Sequence, residues 1–130
     1  MRMPSHRDLR VWCKSVELAR HVYSISASFP HRELFGLTQQ IRRAAISVAS
    51  NIAEGHGRGT PREFSRYLAI ARGSLAEIDT QLFLAQELGY VAAGDAASLS
   101  AKIDFVGKML TRLHQSVIRS ADLGTLTTNY

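Results

Sequence analysis

The sequence predicts an all-α protein, an antiparallel up-down-up-down four-helix bundle with a slight left-handed supercoil. Apolar residues recur every three or four positions in four separate segments, and short stretches that contain glycine or proline separate these segments. No segment shows the alternation of a β-strand. A seven-residue apolar repeat gives 3.5 residues per turn, and helices that keep it wind around one another with a left hand.

The length of 130 residues fits one domain whose core needs no disulfide or metal. We expect this bundle to occupy residues 1–121, with helices at about 9–28, 36–55, 61–88 and 95–120. Residues 122–130 are rich in Thr, Gly and Asn and are expected to form a flexible tail.

The first helix is predicted to begin after Asp8, a fair N-cap, and to end before Pro30. Arg10, Lys14 and Glu17 belong to its polar face, together with Arg7 and His21. Its apolar seam is predicted to consist of Leu9, Trp12, Val16, Ala19, Tyr23 and Ser26.

The second helix is unusual for its small residues, which allow a neighbouring helix to pack closely. Asn51 and Glu54 near its end would each need a partner if the fold or an oligomer buried them. Its seam is predicted to consist of Leu34, Leu37, Ile41, Ala44, Val48, Ile52 and Gly55.

The third helix has the clearest start, because Thr60 can cap it, Pro61 suits its first position and Glu63 completes a capping box. Gly89 is the expected C-cap, and Asp95 is the expected cap of the fourth helix. The third seam comprises Phe64, Leu68, Ala71, Leu75, Ile78, Leu82 and Ala85, and the fourth comprises Leu99, Ile103, Val106, Leu110, Leu113 and Val117. Gly73 and Gly107 are expected to lie inside helices. Either a close approach by another backbone or a tolerated helix defect would explain a glycine there.

Positive charge is concentrated in the first part of the chain. Up to Arg72 there are twelve Lys and Arg against five Asp and Glu, and from Gly73 onward there are four against six. Thirteen of the sixteen basic residues are arginine, whose planar fork suits phosphate and carboxylate groups. A basic surface without a partner is the alternative.

The basic residues suggest contacts with a nucleic-acid backbone. Arg10 and Lys14 lie one turn apart, as do Arg62 and Arg66, and such ridges can follow phosphates. The turn at residues 55–59 either binds a phosphate at the start of the third helix or only joins two helices. The predicted nucleic-acid-binding residues are Arg10, Lys14, Arg42, Arg43, Arg58, Arg62 and Arg66, although Arg42 or Arg43 could instead pair with an acidic residue in an oligomer interface.

Other residues give little indication of catalysis, a metal or a cofactor. No glutamate precedes a histidine by three positions, as a di-iron bundle requires. Cys13 is expected to be a packed or half-buried thiol, and His114 a surface or interface residue. The single cysteine and the lack of a long apolar segment indicate a cytoplasmic protein that does not enter a membrane.

Several motifs occur together in one order: Asp8–Trp12, Gln40–Ala45, Ser50–Gly55 with Gly57–Gly59, and Gly73–Glu77. With these motifs the chain resembles the 23S rRNA intervening sequence proteins, a family of bacterial four-helix bundles. Related accessory proteins of diversity-generating retroelements form pentamers that associate with a reverse transcriptase and nucleic acid. The resemblance implies a homopentamer with a role connected to nucleic acid, and it does not imply an enzyme.

The leading hypothesis is therefore a non-enzymatic oligomeric bundle that binds RNA or DNA, with a protein partner as a further option. A protein-interaction scaffold, or an accessory subunit that does not itself bind nucleic acid, is the alternative. A metal or cofactor bundle is a distant third.

Overall fold

The structure, a computed structural model, describes residues 5–122 and confirms the all-α bundle. Its four helices are α1 (Arg10–Ser26), α2 (Leu37–Gly57), α3 (Pro61–Glu87) and α4 (Ala93–Asp122). Single 3-10 turns at His6–Asp8 and His31–Glu33 precede α1 and α2. The predicted tail, apart from Asp122, lies outside the described residues.

The helices form a closed ring in which each contacts two others: α1 packs on α2, α2 on α3, α3 on α4, and α4 on α1. Cross-helix contacts pair an early residue with a late one. Arg42 Nε near the start of α2 lies 2.8 Å from Oγ of Ser26, the last residue of α1, and Ser65 Oγ near the start of α3 lies 3.1 Å from His114 Nε2 in the later part of α4. Gly55 near the end of α2 packs against Phe64 near the start of α3. Adjacent helices are therefore antiparallel.

The predicted seam of α3 is buried at every position. The predicted seam of α2 is buried from Ile41 to Gly55. The predicted seam of α4 is buried at five of its six positions. Leu34, by contrast, is exposed, and Leu37 and Leu113 are only half-buried. The described helices contain no segment long and apolar enough to cross a membrane.

In the predicted seam of α1, Ser26 is buried as expected, but the other positions are wrong by one residue. The buried positions of this helix are Val11, Ser15, Leu18, Val22, Ile25 and Ser26. Ser15 is tolerated there because its hydroxyl donates to the Val11 carbonyl at 2.7 Å. The structure thus turns compact aliphatic side chains inward, while Trp12 stays half-buried and Tyr23 is 41% exposed.

Helix ends differ from the predictions at three positions. Asp8 belongs to the preceding 3-10 turn, where its carboxylate accepts from the Ser5 amide at 3.0 Å, and α1 begins without a side-chain cap. Asp95 lies within the first turn of α4 instead of capping it. Thr60 does cap α3, but Glu63 pairs with Arg66 at 3.4 Å and does not complete the capping box.

Gly89 ends α3 as predicted. Its φ of 76° is in the left-handed region, where glycine has no steric penalty. The Gly89 amide donates to the Gln86 carbonyl at 3.0 Å, and the Tyr90 amide donates to that of Ala85 at 2.9 Å. These bonds satisfy carbonyls that the end of the helix would otherwise leave unpaired.

Candidate nucleic-acid interface

The structure separates the seven predicted basic residues into three places. Arg10 and Lys14 lie near the start of α1, Arg42 and Arg43 near the start of α2, and the other three around the α2–α3 turn. Since α1 and α2 are antiparallel, the first two places lie at opposite ends of the bundle. The seven residues therefore do not form one continuous surface.

At the α2–α3 turn, two of the predicted arginines share the ring of Tyr67. The guanidinium carbons of Arg58 and Arg66 each lie 5.3 Å from its centroid, and Arg58 also donates to the Tyr67 hydroxyl at 2.9 Å. Glu54 pairs with Arg58 at 3.2 Å, and Glu63 pairs with Arg66 at 3.4 Å. Two carboxylates thus offset much of the positive charge at this turn.

The start of α3 offers an anion few backbone donors. Pro61 has no N–H, and the Glu63 amide already donates to the Thr60 hydroxyl at 3.2 Å. The Phe64 amide donates to the Thr60 carbonyl at 3.0 Å. Only the Arg62 amide remains among these four, so the geometry favours a joining turn over a phosphate cradle.

Arg42 and Arg43 have different environments although they are adjacent. Arg42 is half-buried: its Nε donates to Ser26 Oγ at 2.8 Å, and its guanidinium lies 4.6 Å from the Tyr23 ring centroid. A longer bond of 3.4 Å reaches the Tyr23 carbonyl at the end of α1. Arg42 thus holds α1 to α2, whereas Arg43 is exposed and forms no hydrogen bond or ion pair within residues 5–122.

The groove between α1 and α4, called the α1–α4 groove below, contains basic residues that were not among the predicted nucleic-acid-binding residues. Its first cavity, of about 610 Å³, is lined by apolar side chains and by three cations, Arg10, Lys108 and Arg112. Phe105 lies in this cavity, and the Arg10 guanidinium is 5.8 Å from its ring centroid. The other lining residues are Leu9, Val11, Met109 and Leu113. No carboxylate of residues 5–122 lines this cavity.

The second cavity of the α1–α4 groove, of about 340 Å³, is lined by Glu17, Arg20, His21 and Lys102. Burial, with the charge of Lys102, lowers the pKa of His21, and Asp95 opposes this shift. His21 Nδ1 is buried and has no hydrogen-bond partner within the described residues. Glu17 is paired with Lys14 at 3.3 Å, so the one carboxylate that the described part of the chain contributes to the groove lining already has a cation.

Together the two cavities present five cations and one carboxylate. None of Arg10, Arg20, Lys102, Lys108 and Arg112 forms an ion pair with a carboxylate of residues 5–122. Arg10 and Arg20 are ten residues apart on α1, which corresponds to about 15 Å along a helix. The groove is thus an extended basic surface.

The groove between α3 and α4 is more balanced in charge. Its cavity of about 520 Å³ is lined by Arg72, Lys108 and Arg112, but also by Asp79 and Asp104. These carboxylates make it less suitable for a polyanion than the α1–α4 groove.

The antiparallel register predicts where the other cations of the groove lie. The start of α1 faces the second half of α4 (Ala93–Asp122), so Arg10 is expected near residues of that half. Lys108 and Arg112 are four residues apart there and share a helix face. Lys108 and Arg112 were not predicted as binding residues, because the second half of the chain has an overall negative charge.

Two other sequence expectations are wrong. Cys13 is exposed and not packed, with its Sγ 3.5 Å from the Arg7 carbonyl oxygen. Of the two alternatives for His114, a surface or an interface residue, the surface is wrong, because the side chain is buried between α3 and α4. Within residues 5–122 no three His, Cys, Asp or Glu side chains are grouped to hold a metal ion.

Comparison with known proteins identifies relatives of this fold and sequence. Residues 7–112 match the family model described as 23S rRNA-intervening sequence protein. A crystal structure of a protein of unknown function from the S23 ribosomal protein family of Bacteroides thetaiotaomicron superposes with a TM-score of 0.72 at 23% identity, covering 80% of this chain and 97% of that one. At this identity the likeness shows the fold alone. No curated protein matches the chain.

Proposed function

Because the chain belongs to the 23S rRNA-intervening sequence protein family, and because its α1–α4 groove is strongly basic, we propose that this groove binds the backbone of RNA or DNA. The observation that supports the proposal is the excess of five cations over one carboxylate in the groove lining. The proposed role includes no catalytic step.

The arrangement of the cations suits sequence-independent binding. Arginine and lysine contacts to phosphate supply affinity and position without reading bases. The five cations have no carboxylate partner in the described residues, so binding a phosphate would not require an existing ion pair to break. Lys14 lies one turn after Arg10 and can extend the basic surface along α1. Binding should therefore weaken steeply as salt is added.

A salt series with matched charge-removal variants tests this proposal. The groove variant is Arg10→Gln, Lys108→Gln, Arg112→Gln, and the control is Arg58→Gln, Arg62→Gln, Arg66→Gln at the α2–α3 turn. Both lose three positive charges. Fluorescence anisotropy would measure the Kd of labelled oligouridylate and oligothymidylate between about 50 and 200 mM salt.

We expect the groove variant to bind more weakly and to have a log Kd against log salt slope that is shallower by roughly 2 to 3. The control should change affinity much less. A larger loss in the control would move the site to the α2–α3 turn. Equal losses would assign binding to net charge and not to the groove, and a wild-type protein without affinity would reject the proposal.

We further propose that the protein is a homo-oligomer, a pentamer by the family resemblance, that associates through the end of the bundle where α1 and α3 finish. This end exposes large apolar side chains that a solvated surface rarely groups together. Phe35 is 84% exposed there, and Phe83 is 66% exposed. Tyr23, Leu34, Leu84 and Leu88 are also exposed at this end.

Light scattering on the intact protein tests the oligomer. A stable monomer at micromolar concentration would contradict it, whereas Phe35→Ser should reduce the mass of an assembly that uses this end. The same apolar end supports the alternative function of a protein-interaction scaffold or accessory subunit. An intact oligomer with no affinity for RNA or DNA would favour that alternative.

A further inference from the structure

We infer that the α1–α4 groove takes single-stranded nucleic acid in preference to a duplex, with Phe105 as the surface on which a base stacks. This inference rests on the proposed function, since it names the form of nucleic acid and a contact to its bases.

Phe105 is placed as a stacking platform would be. Phe105 is 45% exposed and lines the same cavity as Arg10, Lys108 and Arg112. It does not complete the core, which on this stretch of α4 consists of Ile103, Val106 and Leu110. An exposed aromatic ring among cations offers a π-face to a base and charges to its phosphates.

The cations lie on both sides of this ring. Along α4, Lys102 precedes Phe105 by three residues and Lys108 follows it by three, which corresponds to about 4.5 Å of helix rise in each direction. Across the groove, Arg10 is close to the ring itself. A strand whose phosphates pass Lys102 and Lys108 can therefore turn one base onto Phe105.

The concave shape separates single strands from duplexes. The cations line a groove between two packed helices, whose axes in such bundles are about 8–10 Å apart. A single strand is flexible and can lie in this groove with its bases unstacked. In a duplex the bases are paired and stacked on one another, so only phosphates at the rim could be reached.

The test compares wild type with Phe105→Leu, which keeps an apolar side chain and removes the π-face. Ile70→Leu is the control, because Ile70 is an apolar side chain of similar exposure (43%) on α3, outside the groove and away from the proposed association end. The probes are labelled oligothymidylate and the duplex that it forms with oligodeoxyadenylate, each titrated at two salt concentrations. Circular dichroism would establish that each variant keeps the helical content of wild type.

We expect wild type to bind oligothymidylate more tightly than the duplex. Phe105→Leu should weaken single-strand binding by about 5- to 100-fold, the range of one lost base stack, and leave duplex binding nearly unchanged. Its salt slope should equal that of wild type because no charge is lost. Ile70→Leu should change neither affinity.

Other outcomes separate this inference from the function on which it rests. Equal affinity for strand and duplex, or an unchanged affinity of Phe105→Leu, overturns the inference while backbone binding stands. Affinity for neither probe rejects the proposed function and the inference together. Preference for an acidic peptide over both probes would assign the groove to a protein partner and would also overturn the inference.

Discussion

His114 Nδ1 lies 3.1 Å from Nη1 of Arg72, and this contact joins α4 to α3. A guanidinium group only donates hydrogen bonds, so Nδ1 must accept, and the imidazole is neutral with its proton on Nε2. That proton is donated to Ser65 Oγ at 3.1 Å. The relationship fixes both the charge and the tautomer of a histidine that is 9% exposed.

The stability of the protein should depend on this histidine below neutral pH. Burial, reinforced by the charge of Arg72, lowers the pKa of His114 in the folded state below its ordinary value of 6.5. As the pH falls through about 6.5, the unfolded chain takes up a proton that the folded protein does not, so the free energy of unfolding decreases. This contribution to stability is complete above that pH.

We therefore expect His114→Gln to flatten the dependence of the free energy of unfolding on pH between about 7.5 and 5. His21 has a lowered pKa for related reasons, so some slope should remain. His31→Gln, at an exposed position, is the control and should keep the wild-type slope. Urea unfolding at a series of pH values measures each slope, and identical slopes for wild type and His114→Gln would contradict the prediction.

Gly55 is required by the close packing of α2 on α3. A Cβ added to it would lie 2.6 Å from Tyr67 Cβ and 3.1 Å from Phe64 Cδ1. We expect Gly55→Ala to lower the free energy of unfolding by about 1–3 kcal/mol, since the helices would have to move apart.

Gly57→Ala is the matched control in the same helix. A Cβ at Gly57 meets no atom of the described residues within 4 Å, so this substitution should be neutral or stabilise by up to about 1 kcal/mol. Denaturant unfolding compares the two variants. Equal effects would show that contact with Tyr67 and Phe64 does not limit residue 55.

Gly73 is expected to be a site where alanine stabilises the chain. It lies inside α3, and apart from the adjacent backbone of its own helix no heavy atom of the described residues comes within 4 Å of a Cβ built there. Gly73→Ala should raise the free energy of unfolding by about 0.5–1 kcal/mol, because glycine loses more backbone freedom on folding. Calorimetry and light scattering should be read together. Lower stability accompanied by a smaller assembly would mean that another copy approaches this position.

Arg42 and Arg43 should differ in what their removal does. Arg42→Gln loses the contacts to Ser26 and to the end of α1, and we expect a loss of about 1–2 kcal/mol in the free energy of unfolding. Arg43→Gln should stay within about 0.5 kcal/mol, as surface substitutions usually do. Urea denaturation at neutral pH distinguishes them, and comparable losses would contradict the structural role of Arg42.

The seam that the sequence predicted best is that of α3. Its predicted residues recur at alternating intervals of four and three over three heptads, and every one of them is buried. On α1 two adjacent stripes are both partly apolar. The large rings of Trp12 and Tyr23 favoured the stripe that contains them as the predicted seam. Their polar atoms suit the edge of a core, and the smaller Val11 and Val22 fill its centre.

The sequence predicted that basic side chains would form the candidate site, but it predicted the position of only some of them. Arg10 belongs to the α1–α4 groove as a basic residue of the first helix, but its neighbours Lys108 and Arg112 are about one hundred residues away in the chain. The arginines near the α2–α3 turn were predicted to form a basic cluster because they are close in sequence. Their carboxylates, Glu54 and Glu63, are equally close and offset them.

The sequence by itself determined the number of helices, most of the core and the family, because helical periodicity and local motifs depend on residues a few positions apart. Only the tertiary structure decided which face of α1 turns inward, that His114 is neutral between Arg72 and Ser65, and which cations share a groove. These features depend on the register between helices, which side chains distant in the chain establish when they pack together.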